Sequence, residues 1–553
     1  MFSNPFILWR FLMPQWAIFS LAFPSSKCIS FNTDSVVKSL EGAFITVVWG
    51  SARGFVIIVV LLSCSSLQQV LLIMAEVVEV IDAKVEEEEE KEKELHVWNN
   101  DYAGTPYIPI YVMLPLNTIS LENEVVDPEG LIEDLEALKS AGVDGVMVDC
   151  WWGIVEGKHP RHYQWSGYHH LFSLVRNAKL KLQVVMSFHQ CGGNVGDDVN
   201  ILLPEWVLKI ADHNADIFFT NSSGAHNPEC LSWGIDTVPV LQERTALQVY
   251  YEYMLSFRQQ MEGFFADGTI TEIEVGLGPC GELRYPSYAQ TQGWIFPGIG
   301  EFQCYDKYMM EKLRKAAEVQ RHPEWGMGPS NAGSYNSRPQ ETEFFKDGGD
   351  YCSPYGKFFL SWYSQTLIEH GDSVLKMANL ALKDVKISAK VPGIHWWYRT
   401  ESHAAEATAG FFTADSRCGY KSIARMFATH NTTFNFTCAE MRTADQPKEA
   451  LCDPEALVMQ ALNAAWDSGI SAACENALSC YGQEDYNQIL KNAKPLRGGG
   501  ATGHHLDAFT YLRLSPDLME EHNFEVFVHF VSCLHGELED SELSSPHLHV
   551  EGD

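Results

Sequence analysis

The sequence predicts an α/β protein whose main domain is a (β/α)8 barrel. Short apolar runs rich in β-branched residues recur along the chain from residue 108 to residue 514, and eight of them can be distinguished. The segments between the runs are helical or rich in loops, and strands that alternate with such crossovers pair in parallel. Eight strand units with long insertions fit a closed barrel better than a doubly wound sheet, which usually has fewer strands.

Each run is justified by its own pattern. In chain order the runs begin at Ile108, Val143, Leu182, Thr271, Ile387, Phe434, Ile470 and Phe509. Between the first two, the segment PEGLIEDLEALKSAG places Leu131, Leu135 and Leu138 on one helical face and closes with Gly142, which predicts an amphipathic helix. The longest insertions follow the third and fourth runs. Because the loops after barrel strands build the active site, we expect these insertions to form a deep cleft.

The rest of the chain differs in composition from the barrel domain, which we place at residues 95–535. Residues 1–75 are a hydrophobic N-terminal segment, and its uncharged stretch 55–75 is about long enough to span a bilayer. A targeting segment, a membrane anchor and a misassigned start of the gene all remain open, and attachment to a membrane is not favoured. Residues 76–94 form an acidic linker and residues 536–553 an acidic tail that we expect to be disordered.

Composition and charge exclude several classes of function. Lys and Arg number 39 against 72 Asp and Glu, which gives a formal charge of -33. A charge of this sign disfavours binding to nucleic acid, whereas a neutral polyhydroxyl ligand is not repelled. The 14 cysteines are irregularly spaced and include no CxxC pair, so we expect reduced, packed thiols and no metal site.

Polar residues, many of them carboxylates, follow the predicted strands. These residues are Asp149, His189, Glu282, Lys390, His395, Thr437, Glu440, Glu475, Asn476 and Arg513. A pair of carboxyl groups facing a neutral ligand suggests glycoside hydrolysis, in which one carboxyl protonates the leaving oxygen and the other acts as base or nucleophile. Glu282, Glu440 and Glu475 compete for these two roles, and spacing alone does not rank them.

Two motifs closely resemble the signature segments of the plant β-amylases, which form glycoside hydrolase family 14. They are HQCGGNVGD, residues 189–197, and GELRYPSY, residues 281–288, and further similar segments follow in the same order over roughly residues 105–535. The resemblance implies inverting removal of β-maltose from the non-reducing ends of α-1,4-glucans, without a metal or other cofactor. By motif, Glu282 corresponds to the general acid and Glu475 to the general base, while Glu440 becomes part of an inner loop.

The resemblance also implies a set of substrate contacts. They are Asp149, His189, Asp197, Lys390, His395, Thr437, Asn476, Ala477 and Arg513. An inverting enzyme needs its two carboxyl groups about 6.5–9.5 Å apart so that a water molecule fits between base and sugar. We therefore expect Glu282 and Glu475 to face each other across the cleft. Cys280 departs from the family pattern, in which Ala or Ser is usual at this position.

Two functions of different classes remain. The first is an active β-amylase that degrades starch, and the second is a catalytically silent relative that binds glucan and regulates starch metabolism. Both carboxylates and Asp197 are present, which favours the active enzyme. The predicted partner is an α-1,4-glucan, and the plastid is favoured over the cytosol because starch is made in plastids. The sequence does not predict an oligomeric state.

Overall fold

The structure is a computed structural model, and the chain divides into two compact units, Met1–Val97 and Trp98–Asp553. It describes residues 102–194, 197, 199–414, 417–494 and 503–537, together with the backbone of short strands within 12–62 and 496–501. The linker 76–94, residues 538–553 of the tail and most of the stretch 55–75 lie outside the described residues. Among the residues that are described, no helix combines the length and the hydropathy that a membrane crossing requires.

The first unit contains an antiparallel sheet of five strands in the order β1-β2-β5-β4-β3. The strands are β1 Leu12–Met13, β2 Trp16–Leu21, β3 Val37–Leu40, β4 Ala43–Val47 and β5 Ile58–Leu62. Strand β5 lies within the apolar stretch 55–75.

The second unit is built on a closed barrel. The strands of this unit, of which β9–β10 and β15–β16 form separate hairpins outside the barrel, are β6 Ile110–Met113, β7 Gly145–Trp151, β8 Lys181–Ser187, β9 Phe218–Thr220, β10 His226–Leu231, β11 Ile270–Val275, β12 Lys386–Val391, β13 Thr432–Phe436, β14 Ala472–Glu475, β15 Leu496–Arg497, β16 Gly500–Ala501 and β17 Ala508–Tyr511. The barrel order is β6-β7-β8-β11-β12-β13-β14-β17, and β17 closes it by pairing in parallel with β6. Each predicted run overlaps one barrel strand, so the (β/α)8 prediction is confirmed.

Helices follow the barrel strands along the chain. They are α1 Pro128–Ser140, α2 Trp152–Val155, α3 Ser166–Asn177, α4 Glu205–Ala211, α5 Ala246–Gln260, α6 Glu262–Ala266, α7 Lys307–Val319, α8 Pro354–Ala381, α9 Ala404–Thr408, α10 Gly419–Thr429, α11 Pro454–Asp467, α12 Gln483–Ala493 and α13 Glu521–His535. Helix α1 shows why these segments are helical. Asp127 caps its N-terminus by accepting from the Gly130 N–H, and Leu131, Leu135 and Leu138 are buried.

Side chains along each strand point alternately to its two faces, and this alternation determines which side chains fill the barrel interior. Met113, Met147 and Val185, from three neighbouring strands, form one buried apolar cluster. Two residues further along β7 and β8, the same faces carry Asp149 and Ser187, whose side chains are hydrogen-bonded at 2.7 Å. Because side chains two apart share a face, the barrel interior changes from apolar to polar toward the carboxyl ends of its strands.

Two long insertions follow strands β8 and β11. The first, between β8 and β11, contains α4, the antiparallel β9–β10 hairpin, α5 and α6. The second, between β11 and β12, contains α7 and the 28-residue helix α8. Tyr285, in the loop after β11, stacks on Tyr363 of α8 with ring centroids 3.7 Å apart, and its hydroxyl donates to the Tyr363 carbonyl at 3.0 Å. Helix α8 therefore anchors the loop that carries Glu282.

Candidate active site

Lys390 is the centre of a charged cluster at the carboxyl end of the barrel. Its Nζ lies 3.0 Å from Glu475 Oε1 and 3.9 Å from Glu274 Oε1. Burial alone would lower the pKa of Lys390, but Glu475, Glu274 and Glu282 outweigh burial and raise the pKa. The lysine thus remains positively charged and gathers three glutamates around it.

Glu475 ends strand β14, and its side chain is only 2% exposed. The Asn435 amide donates to its Oε2 at 3.4 Å, while Lys390 pairs with Oε1. Burial raises the pKa of this carboxyl group, although Lys390 opposes the shift. A carboxylate with a raised pKa is a stronger base, which suits a group that must take a proton from water.

Glu274 is a second buried carboxyl group below Glu475, and the sequence analysis did not single it out. Its Oε2 accepts from the Asn435 amide at 2.6 Å, and Oε1 has no hydrogen-bond donor among the described residues. Burial, with a further contribution from Glu475, raises its pKa to about 7 against the opposing effect of Lys390. Glu274 could have been found from the sequence, because it is a charged residue inside an otherwise apolar strand run. Its position in the alternation of side chains places it on the face toward the barrel interior.

Glu282 lies in the loop after β11, directly after a short 3-10 helix, Pro279–Gly281. Its backbone forms a parallel bridge with Lys390, and the Leu283 N–H donates to the Lys390 carbonyl at 2.8 Å. The Arg284 Nε–H donates to Glu282 Oε2 at 2.6 Å. The Glu282 side chain is 12% exposed, so this carboxyl group is held in place but remains accessible.

Arg284 and Glu229 support the Glu282 loop from two sides. Arg284 also donates through Nη1 to the Tyr285 carbonyl at 3.3 Å and through Nη2 to Cys280 Sγ at 3.5 Å. Glu229, on β10, accepts from the Cys280 N–H at 3.2 Å and from the Asn194 amide at 2.7 Å. Sequence reasoning missed both residues. Glu229 gave no signal, since it lies in a distant insertion, whereas Arg284 lies within the GELRYPSY motif.

Asp149 lies on β7, His189 follows β8 and Arg513 follows β17, so three barrel strands supply these polar side chains. Burial, assisted by the charge of Lys390, lowers the pKa of His189 to about 3, so the imidazole is neutral at neutral pH. Its Nδ1 is buried and has no hydrogen-bond partner in the described structure. Burial raises the pKa of Asp149, and Arg513 opposes that effect. Asp149 and Arg513 are thus close enough to act on one another electrostatically.

Asp197 is bound to its own loop. Its Oδ2 accepts from the backbone N–H groups of Gly192, Gly193 and Asn194, each at 2.9 Å. It nevertheless lies near enough to contribute to the pKa shifts of Asp149 and His189. These three bonds engage one of the two carboxylate oxygens, and the substrate contact of Asp197 stays a prediction.

His395 and Thr437 occupy the loops after β12 and β13. The Thr437 hydroxyl accepts from the Gly393 N–H at 2.7 Å, which joins the two loops. His395 Nε2 lies 3.1 Å from Gln446 Oε1, and burial lowers the pKa of this imidazole. Among the described residues, no hydrogen bond or ion pair joins the side chains of His395 and Thr437 to Lys390 or its glutamates, although the Thr437 N–H donates to the carbonyl of the adjacent Val391 at 3.4 Å.

Asn476 and Ala477 follow Glu475 directly and are engaged with protein groups. The Asn476 amide donates to the Leu478 carbonyl at 2.9 Å, and its Oδ1 accepts from the Leu512 N–H at 2.8 Å. The Ala477 N–H donates to Glu440 at 3.0 Å, and the Leu478 N–H donates to the same carboxyl group at 2.8 Å. Burial raises the pKa of Glu440 to about 7. Glu440 thus organises the turn that follows Glu475.

Comparisons with known proteins identify the family of the chain. The model of glycosyl hydrolase family 14 matches residues 111–538. The chain is 60% identical to "Beta-amylase 2, chloroplastic" of Arabidopsis thaliana over 81% of this chain and 82% of that protein. It is 52% identical to a β-amylase of Triticum aestivum over 78% of this chain and 86% of that protein. The solved catalytic domain of the β-amylase from Paenibacillus polymyxa matches with a TM-score of 0.63 at 29% identity, covering 77% of this chain and 98% of that domain. The chain therefore belongs to glycosyl hydrolase family 14, and within it to the plant β-amylases.

Proposed function

We propose that this β-amylase is an inverting exo-hydrolase that releases β-maltose from the non-reducing ends of α-1,4-glucans during starch breakdown. The observation that carries the proposal is the arrangement of two glutamates around Lys390. Glu475 meets the lysine through its side chain at 3.0 Å, and Glu282 meets it through its backbone. The Glu475 side chain is 2% exposed and that of Glu282 is 12% exposed, and two carboxyl groups at one site are what glycoside hydrolysis uses as acid and base.

Glu282 takes the role of general acid. Arg284 holds its Oε2 at 2.6 Å, which leaves Oε1 to deliver a proton to the glycosidic oxygen. As the bond to C1 breaks, the leaving glucan chain departs with that proton. Arg284 and the Cys280 loop fix the direction in which this oxygen points.

Glu475 takes the role of general base. It removes a proton from a water molecule as the water oxygen attacks C1 from the face opposite the leaving chain, so the product is the β anomer. Lys390 and Asn435 hold the two oxygens of Glu475, and burial raises its pKa. Thr437, in the neighbouring inner loop, is proposed to help hold this water. The expected separation of the two carboxyl groups, about 6.5–9.5 Å, stays a prediction.

The remaining predicted contacts are proposed to bind the sugar rings. His189 is neutral with an unpartnered Nδ1, and a sugar hydroxyl can either donate to or accept from it. Asp149 and Arg513 are proposed to supply an acceptor and a donor for the same sugar, and Asp197 is proposed to add a second acceptor. His395, Asn476 and Ala477 are proposed to line the outer part of the cleft. Their loops would contact the non-reducing end of the bound glucan there.

Anomer-resolved NMR during hydrolysis of maltoheptaose tests the proposal. The wild-type chain should release maltose whose first detectable form is the β anomer, and both Glu282→Gln and Glu475→Gln should abolish the release. Initial α-maltose or products longer than maltose would refute the mechanism. A folded wild-type chain that binds maltoheptaose without cleaving it would instead support the regulatory alternative.

We also propose that the protein acts in the plastid. Support comes from the starch substrate and from the 60% identity to a relative whose name includes "chloroplastic". Fusion of residues 1–94 to a fluorescent protein in leaf cells tests this location. Fluorescence confined to the cytosol would contradict it.

A further inference from the structure

Helix α8 contacts the loop of the proposed acid at a second point, through His370. The Nε2 atom of this imidazole lies 3.0 Å from the Leu277 carbonyl oxygen, and its Nδ1 lies 2.9 Å from Asp236 Oδ2. His370 is 3% exposed, so both contacts are shielded from solvent. Trp233 stacks on the ring, with the centroids 4.7 Å apart and an interplanar angle of 16°. Protein groups therefore occupy both edges and one face of the imidazole.

The two partners determine where the ring carries its protons. A backbone carbonyl oxygen accepts a hydrogen bond but cannot donate one, so Nε2 must carry a proton. If Asp236 is ionised, Nδ1 donates to it, and if Asp236 is protonated, Nδ1 accepts from it. In both cases one hydrogen bond to Asp236 fixes the orientation of the ring. Nε2 remains the donor to Leu277 in both cases.

Leu277 begins the turn that leads from β11 to the proposed acid. Its N–H donates to the Gly281 carbonyl at 3.1 Å, and the Gly281 N–H donates to the Gly278 carbonyl at 3.0 Å. Gly281 directly precedes Glu282 in the chain. The position of Leu277 is therefore passed to the acid through one hydrogen bond and one peptide bond.

The same face of α8 also contacts the loop after the acid. A Cβ atom added to Gly371 would lie 3.3 Å from Leu283 Cδ2, so a glycine here lets Leu283 pack closely against the helix. Tyr363, which stacks on Tyr285, lies seven residues before His370. Helical residues that are seven and eight positions apart share one face. This face therefore contacts the loop on both sides of the proposed acid.

The contact between Asp236 and His370 also joins the two insertions. Asp236 directly follows the 3-10 helix Trp233–Ile235 of the first insertion, and His370 belongs to α8 in the second. Arg284 holds the carboxyl group of the acid, as described above, whereas His370 holds the backbone that precedes it. The two contacts act on different parts of one loop.

We propose that His370, oriented by Asp236, is a positioning residue for the acid step. This inference deepens the proposed function and rests on it, because Glu282 is the proposed acid. The bond from Nε2 fixes the start of the loop and so the direction in which the Glu282 carboxyl group points. A fluoride leaving group needs little help from an acid. A misplaced Glu282 should therefore slow the cleavage of maltoheptaose far more than that of α-maltosyl fluoride.

Two substitutions at one position separate orientation from packing. His370→Gln places an amide nitrogen near the position of Nε2 and keeps a donor for Leu277, whereas the shorter side chain of His370→Asn reaches only the position of Nδ1. His430→Asn is the matched control, because His430 follows α10 and its Nε2 also lies 2.9 Å from an aspartate of α8, Asp372. For each full-length protein, steady-state kinetics on the two substrates are combined with hydrogen–deuterium exchange of the peptide 277–283.

His370→Asn should lower kcat on maltoheptaose at least about tenfold with KM changed less than about twofold, and should lower kcat on α-maltosyl fluoride less than about threefold. Exchange of the peptide 277–283 should become at least about threefold faster. His370→Gln should keep kcat within about threefold of the wild type, and His430→Asn should change neither the kinetics nor the exchange.

Equal losses of His370→Asn on the two substrates would overturn the positioning role, and so would a loss in His370→Gln as large as that in His370→Asn. Unchanged exchange of the peptide 277–283 in His370→Asn would overturn it as well. If His370→Asn does not fold, Asp236→Ala removes the partner of Nδ1 and must show the same difference between substrates, or the role is refuted. A wild-type chain that releases no maltose would refute the proposed function and the catalytic role of His370 with it, even if the exchange data show that His370 holds the loop.

Discussion

The two proposed catalytic carboxyl groups are held by different parts of the molecule. Glu475 is fixed by side chains of the barrel itself, because Lys390 lies on β12 and Asn435 on the neighbouring strand β13. Glu282 lies on a loop and is fixed by Arg284 of the same loop. The barrel thus holds the carboxyl group of the proposed base, whereas a loop residue holds the carboxyl group of the proposed acid, whose backbone bridges to Lys390 of the barrel.

Residues of the two insertions also help to hold the loop of the proposed acid. Glu229, which supports the Cys280 N–H next to the acid, comes from the β9–β10 hairpin, and Tyr363, which stacks on Tyr285, comes from α8. Strand positions are fixed by parallel hydrogen-bond ladders that extend around the whole barrel. Loop positions depend on a few individual contacts. Substitutions around Glu475 should therefore affect chemistry and stability together, whereas those around Glu282 should mainly affect the geometry of protonation.

The largest effect is expected for Glu475→Gln. Loss of the general base should lower kcat by about 10⁴-fold, because Glu475 is the proposed acceptor of the proton from water. The loss should be similar for maltoheptaose and for α-maltosyl fluoride, since both reactions need an activated water. Steady-state kinetics on the two substrates measure it. A variant that keeps normal activity on the fluoride would show that Glu475 is not the base.

Glu282→Gln should distinguish the role of the proposed acid from that of the proposed base. With maltoheptaose the variant should lose about 10³-fold in kcat, because the glycosidic oxygen leaves without a proton. With α-maltosyl fluoride the loss should stay below about tenfold, since fluoride departs without general-acid assistance. Steady-state measurements on both substrates give the ratio of the loss in kcat on maltoheptaose to the loss on α-maltosyl fluoride. Equal losses on both would contradict the assignment of the acid.

A third prediction concerns stability on the barrel side. Burial raises the pKa of Glu274 from 4.5 to about 7 in the folded protein. A group with a raised pKa stabilises the fold below its unfolded pKa and loses that contribution as the pH rises through the folded value. The free energy of unfolding of the wild type, relative to that of Glu274→Gln, should therefore fall by roughly 1–3 kcal/mol between a pH near 4.5 and a pH above 7. Urea denaturation of both proteins at the two pH values measures the change, and a constant difference would refute it.

The barrel side was also the part that the sequence predicted well. Each of the eight runs became a strand, because barrel strands are covered on both faces and so form continuous apolar segments. Helix α1 begins at the predicted Pro128 and ends at Ser140, two residues before the predicted closing Gly142. Position after a strand was sufficient to select Glu475 and Glu282 as candidates, although their roles needed the family resemblance.

The rest of the site could not be predicted because it depends on tertiary contacts. Glu274 lies within a strand run and was interpreted only as part of that strand. Glu229 meets Cys280 through an insertion whose path is not encoded locally. Asn476 and Ala477 were assigned as substrate contacts, yet the structure engages the side chain of the first with backbone and the N–H of the second with Glu440. Sequence position identifies residues near the cleft, but not the groups that they already bind.

The smallest effect is expected for Arg284→Lys, which tests the loop side directly. Arginine makes three contacts at once, to Glu282, the Tyr285 carbonyl and Cys280 Sγ, and the single ammonium of lysine cannot reproduce them. The positive charge is retained, so the substitution changes orientation more than charge. We expect kcat on maltoheptaose to fall about tenfold with KM changed less than about twofold, and activity on α-maltosyl fluoride to stay near that of the wild type. Arg176→Lys, at an exposed ion pair with Asp267 on the outer surface, is the control and should leave both constants unchanged. An equal loss on both substrates would mean that Arg284 supports the whole cleft rather than the acid alone.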